Sequence, residues 1–155
     1  MRLAIWIAAL TLIIDQVSKY WVVQVLDLKT IRSLDVWSPY LNFRMAWNRG
    51  INFGLLSNEG DASRWILIGL ALVVTVFVIW WVRRETDWKV FASTGLLAGG
   101  AIGNVIDRVI YGAVADFLNM SCCGLTNPFS FNVADIAIFA GAIGLIIWTG
   151  NEKAA

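Results

Sequence analysis

Residues 64–82 read RWILIGLALVVTVFVIWWV, and no charged side chain falls between Arg64 and Arg83. A helix that crosses a bilayer needs about 20 mostly apolar residues, and this run is of that kind. The chain around it points the same way. Of its 155 residues 59% are hydrophobic, and nine are tryptophan. Mean hydropathy is +0.69. Soluble proteins use about 45–50% apolar residues, so the excess asks for an apolar solvent. The expected fold class is membrane all-α, a bundle of four transmembrane helices with a small extracytoplasmic β-rich loop domain.

Working outward from 64–82, three more segments have the length and character of spans. They are 3–25 (LAIWIAALTLIIDQVSKYWVVQV), 88–107 (WKVFASTGLLAGGAIGNVID) and 133–149 (VADIAIFAGAIGLIIWT). The chain is read as a single integral membrane domain over 1–155, with extracytoplasmic loops at about 26–63 and 108–132. The first segment has the basic start and apolar run of a signal peptide. It continues into DQVSKYW rather than a small-residue cleavage site, so it is expected to be a retained span. The third is rich in glycine, at 95, 99, 100 and 103. Small residues let helices approach closely in lipid.

Lys and Arg near span ends set orientation. Arg83, Arg84 and Lys89 crowd the link between the second and third spans, Arg2 precedes the first, and Lys153 follows the fourth. All lie on one side of a four-span chain, which is expected to be the cytoplasm. Residues 113–132 carry no Lys or Arg. The loop 26–63 mixes Lys29, Arg32, Arg44 and Arg49 with Asp27, Asp35, Glu59 and Asp61, and is long enough to be exported. Its aromatics Trp37, Tyr40, Phe43, Trp47 and Phe53 are expected in a short sheet on the lipid surface, serving as anchors or as a substrate cradle.

Several function classes fall away on composition. A net charge of +1 with no basic run argues against nucleic-acid binding, and there is no histidine to serve as metal ligand or general base. The two cysteines, Cys122 and Cys123, are adjacent and imply no disulfide framework.

Polar residues inside the spans gather at one depth. With a rise of about 1.5 Å per residue, Asp15 lies about 18 Å from the start of its span, in the outer half, with Lys19 one helical turn further on the same face. Asn104, Asp107 and Arg108 end the third span, Asp116 follows it, and Asn132 and Asp135 open the fourth. Ionisable groups in spans are rare and usually functional. Asp15–Lys19 and Asp107–Arg108 read as structural ion pairs. Asp116 and Asp135 have no basic residue within four positions and lie in the apolar contexts AVADFL and FNVADIAIF. Two such carboxylates at one depth fit a dyad sharing a proton, as in aspartic proteases. They also fit a proton- or ion-translocating path, and the charge placement alone leaves both open.

The motifs resemble one family. DQVSK at 15–19, WNRGINFGLL at 47–56, GNVIDRVIYGAVADF at 103–117 and FNVADIAI at 131–138 are similar, in order and over nearly the whole chain, to the conserved blocks of lipoprotein signal peptidase (signal peptidase II). The resemblance implies a four-span aspartic endopeptidase of the bacterial inner membrane that uses no metal or other cofactor. It would act as a monomer on lipidated prolipoproteins, contact membrane lipid, and cut just before the diacylglyceryl cysteine near the outer leaflet. By motif, the catalytic pair falls on Asp116 and Asp135. Asp15, Lys19, Asn48, Gly50, Asn104, Asp107, Arg108 and Asn132 fall on supporting or substrate-binding positions. Ile51, Asn52 and Ala115 depart from the family's usual residues, and Cys122–Cys123 matches no motif.

Overall fold

A computed structural model describes residues 1–38, 40–50, 61–122 and 127–149. Expectations placed on Ile51, Asn52, Phe53, Glu59, Cys123 and Lys153 lie outside these residues. The chain is mostly helical. Helix α1 (Arg2–Tyr20) runs on through a π turn (Trp21–Val25) to the short α2 (Leu28–Ile31), then strands β1 (Ser33–Trp37) and β2 (Leu41–Asn48). Helices α3 (Asp61–Val82) and α4 (Trp88–Tyr111), strand β3 (Val114–Asn119) and helix α5 (Val133–Trp148) follow.

Three of these helical segments, Arg2–Val25, Ala62–Val82 and Trp88–Tyr111, are long and apolar enough to cross a membrane. Helix α5 is apolar but has 16 residues, about 24 Å at 1.5 Å per residue. Burial is inverted relative to a soluble protein. Trp6 is 73% exposed and Ile146 77%, while Asp15 and Asn132 are wholly buried. Outward apolar side chains around a polar interior are what hydrocarbon solvent selects.

Helix α4 is central and packs on α1, α3 and α5. Its glycines explain why. Gly95, Gly99 and Gly103 recur every four residues and form one stripe toward α1. A methyl on Gly99 would stand 2.5 Å from the Ala8 carbonyl oxygen, and one on Gly103 would stand 2.5 Å from Asp15 Oδ2. Gly100 turns toward α5, where a methyl would meet the Ala134 carbonyl oxygen at 2.5 Å. Gly99→Ala is therefore expected to force the α1 and α4 backbones apart and to destabilise by about 1–3 kcal/mol. Thermal unfolding in detergent micelles tests this, and an unchanged midpoint would show that the stripe does not set the helix spacing.

The sheet is antiparallel, in the order β1-β2-β3. Its third strand, β3, lies within residues 108–132, which are expected from the sequence to form an extracytoplasmic loop. Helix α4 continues to Tyr111, and Gly112 then adopts a left-handed conformation (φ +75°) while its N–H caps the Arg108 carbonyl at 3.1 Å. That conformation suits glycine and reverses the chain into β3. Strand β3 pairs with β2 in a register that sets Asp116 opposite Ala46 and Val114 opposite Asn48. A small core of Val22, Leu28 and Phe117 lies under the sheet, with Phe43 edge-on to Phe117 at 5.8 Å between ring centroids.

Candidate active site

Helix α5 opens with a capping box. The Asn132 side-chain oxygen accepts from the Asp135 N–H at 2.9 Å, and Asp135 Oδ2 accepts from the Asn132 N–H at 3.3 Å. This pairing, which closes helix N-termini, places Asp135 in the first turn and fixes how the Asn132 amide is turned. With its oxygen held by the cap, the Asn132 NH2 faces outward and donates to Asp116 Oδ1 at 2.5 Å.

The same logic holds at two other asparagines. The Asn104 oxygen accepts from Lys19 Nζ at 3.1 Å and from Asn132 at 3.4 Å, so its NH2 is driven toward Asp135 Oδ1, 2.8 Å away. The Asn48 oxygen accepts from the Gly50 N–H at 3.0 Å, and its NH2 donates to Asp116 Oδ2 at 3.1 Å. Gly50 has φ +89°, where a side chain would be strained. An amide has one acceptor and one NH2 group. Clamping the acceptor by an obligatory donor therefore decides where the NH2 points. Three amides from three elements converge in this way on two carboxylates, and Asn132 bonds to both.

Behind this pair lies a buried ion cluster. Lys19 Nζ contacts Asp15 Oδ2 at 2.9 Å, Asp107 Oδ2 at 2.8 Å and the Asn104 oxygen at 3.1 Å. Its three N–H donors are thus all used. Each partner carboxylate also holds one backbone amide. Asp15 Oδ1 accepts from the Ala134 N–H at 2.9 Å, and Asp107 Oδ2 from the Ala115 N–H at 3.1 Å. These are the residues immediately before Asp135 and Asp116. One ammonium thereby joins the two backbone segments that carry the candidate acids.

The expected Asp15–Lys19 pair is present, but the expected Asp107–Arg108 pair is not. Asp107 turns inward to Lys19, because adjacent helical residues point about 100° apart and cannot share a face. Arg108 instead donates from Nη1 to the Asn104 carbonyl at 3.3 Å and acts electrostatically on Asp116, Asp135 and Asp107. Gln16, not singled out in the sequence, donates to both Asp15 and Asp107 at 3.1 Å. Its place inside DQVSK was the only available signal.

Asp116 is 3% exposed. Burial pushes its carboxyl up to about 6, and the neighbouring charge of Asp135 adds to the rise. The Asn48 and Asn132 amides and Lys19 oppose it. An acid of this kind can hold a proton close to neutral pH and donate it. Beside the pair runs a cavity of about 320 Å³ between α3, α4 and α5. Leu67, Leu70, Leu97 and Ala101 line its apolar length, and Asn104 and Arg108 its polar end. Among the described residues, no group of three or more His, Cys, Asp or Glu side chains is placed to hold a metal ion.

A family model described as signal peptidase (SPase) II matches residues 7–150. A lipoprotein signal peptidase of Methylorubrum extorquens (strain PA1) is 40% identical over 137 residues, 88% of this chain and 79% of the relative. One from Caulobacter vibrioides is 41% identical over 142 residues, 91% of this chain and 82% of the relative. Among solved structures, a bacterial membrane enzyme determined by the in meso method superposes with a TM-score of 0.79 at 27% identity, covering 96% of this chain and 92% of the other.

Proposed function

The chain belongs to the signal peptidase II family, and from that premise we propose that Asp116 and Asp135 are the acid pair with which it cleaves lipid-modified prolipoproteins. The protease activity and the prolipoprotein substrate follow from the family. The observation that carries the assignment is the convergence of the Asn48, Asn104 and Asn132 amides on these two carboxylates.

The pair works with one carboxylate ionised and the other protonated. The ionised carboxylate takes a proton from water, and the water oxygen attacks the scissile carbonyl carbon. The protonated carboxyl gives its proton to the carbonyl oxygen. When the tetrahedral species collapses, the C–N bond breaks, the leaving nitrogen takes the proton that came from water, and the other carboxylate takes one from a hydroxyl of the diol, so that the pair again holds one proton. The amide donors keep the two carboxylates in place through this exchange. The cut falls before the lipidated cysteine, and the apolar cavity receives hydrocarbon from the substrate while Arg108 and Asn104 face its polar end.

In this reading the chain crosses the membrane four times, with α5 as the fourth crossing. Its short apolar length starts at the Asn132 cap, and its far end is tied to α4 by Lys89 over the Trp148 ring at 4.1 Å. The termini are then cytoplasmic and the acid pair lies near the outer leaflet of the inner membrane, at the depth where the substrate's lipidated cysteine meets water. A single chain suffices, since both acids and all three amides belong to it.

Purified protein given a diacylated and a non-lipidated prolipoprotein peptide should cleave the first and leave the second intact. Equal cleavage of both, or of neither, would overturn the substrate assignment. A pH dependence follows as well. The working pair loses its proton as pH rises through the Asp116 value of about 6, so kcat/KM falls along an alkaline limb near that pH. Asn48→Ala removes a hydrogen bond that favours the Asp116 anion, which raises its pKa further. The limb should move to higher pH, and a limb that stays in place would remove Asn48 from the acid's environment.

A further inference from the structure

We propose that the sheet face turned away from the acid pair carries a binding site for the phosphate of a membrane glycerophospholipid, built from Arg49, Trp47 and Tyr111. Side chains alternate across a strand. Asn48 reaches Asp116 on one face of β2, so Trp47, paired with Ala115, projects from the other. There its ring meets Tyr111 at 5.4 Å between centroids and 51° between planes. With Arg49 and Ala113 the two rings line a cavity of about 190 Å³.

Two features select the ligand. Tyr111 is the last residue of α4, and aromatic side chains at the end of a span mark the headgroup layer. The anion abundant at that depth is lipid phosphate, which a guanidinium binds through paired N–H donors. Just before Tyr111 on α4, Val109 and Ile110 are exposed, at 49% and 62%. That exposed apolar last turn belongs in hydrocarbon, so a ligand reaching Arg49 at this depth comes from the bilayer, as an amphiphile does and a soluble acidic peptide does not. The diacylglyceryl group of a prolipoprotein contains no phosphate, so the occupant is a resident lipid and not the substrate. Because Trp47 adjoins Asn48 in β2, a lipid held there would register the acid pair against the interface.

Native mass spectrometry of the full chain in dodecyl maltoside tests the site. Three probes are compared: dioleoylphosphatidylglycerol, dioleoylglycerol with the same chains and no phosphate, and sodium phosphate without lipid. The expected result is one retained phosphatidylglycerol and neither of the others. Arg49→Gln should weaken retention about fivefold, as for loss of one interfacial cationic contact, and Arg49→Lys should restore most of it. Arg49 is exposed, so these variants fold, and matching elution volumes check it. Equal retention by Arg49→Gln, equal retention of dioleoylglycerol, or equal uptake of free phosphate would each overturn the proposal. The outcome is independent of the acid-pair assignment, which is read by cleavage.

Discussion

Asp116→Asn and Asp135→Asn are each expected to lower turnover of a lipidated substrate by about 10³-fold or more, within the range that proton-transfer groups contribute. In the proposed mechanism each removes one of the two groups that exchange a proton with water and carbonyl. Stability should change little. An Asn at 116 still offers one oxygen to the amides of Asn48 and Asn132 and loses the second hydrogen bond, a cost of about 1 kcal/mol. It also removes a buried carboxylate held beside another, which offsets part of that cost. The discriminating measurement pairs single-turnover cleavage with thermal unfolding of the same samples. Either variant keeping more than a tenth of wild-type turnover would remove that residue from the chemistry. A variant that is inactive because it unfolds would be caught by its midpoint.

Lys19→Met should produce the largest loss of stability. The ammonium is nearly fully buried and is shared by Asp15, Asp107 and Asn104. Removing it leaves two buried carboxylates without their cation, and breaking a buried pair costs roughly 3–5 kcal/mol. Domain stabilities are about 5–15 kcal/mol, so the variant is expected to unfold far below the wild-type temperature or fail to accumulate. Activity should fall with it, because Asp15 and Asp107 hold the amides of Ala134 and Ala115 next to the acid pair. The triple change Lys19→Met, Asp15→Asn, Asp107→Asn removes the unpaired charges and should recover part of the stability, giving a coupling energy between these sites. If Lys19→Met alone unfolded at the wild-type temperature, the cluster would not be the brace described here.

Several parts of the site were readable from residue order. The sequence Asn132-Val133-Ala134-Asp135 carries capping-box spacing, which announces a helix start and orients Asp135 toward its own cap. Asp15 and Lys19, four apart on a helix, had to share a face. Asp107 and Arg108 show where such reasoning stops. Neighbours in sequence suggest a pair, but a helix separates them, and Asp107 found its cation 88 residues away on α1. Strand β3 was also hidden. A short segment such as AVADFL has no unambiguous period, and it becomes a strand because β2 offers it an edge.

The amino-acid order by itself determined the apolar solvent of this protein, its helices and the family to which its motifs point, because hydropathy and helical spacing are local properties. Only the tertiary structure decided which donor each carboxylate received. Lys19, Asn48, Asn104 and Asn132 come from four different elements, and the direction of each amide depends on what holds its oxygen. That is a property of the packed arrangement, in which α4 glycines bring α1 and α5 close enough for one ammonium to link the backbones of both acids.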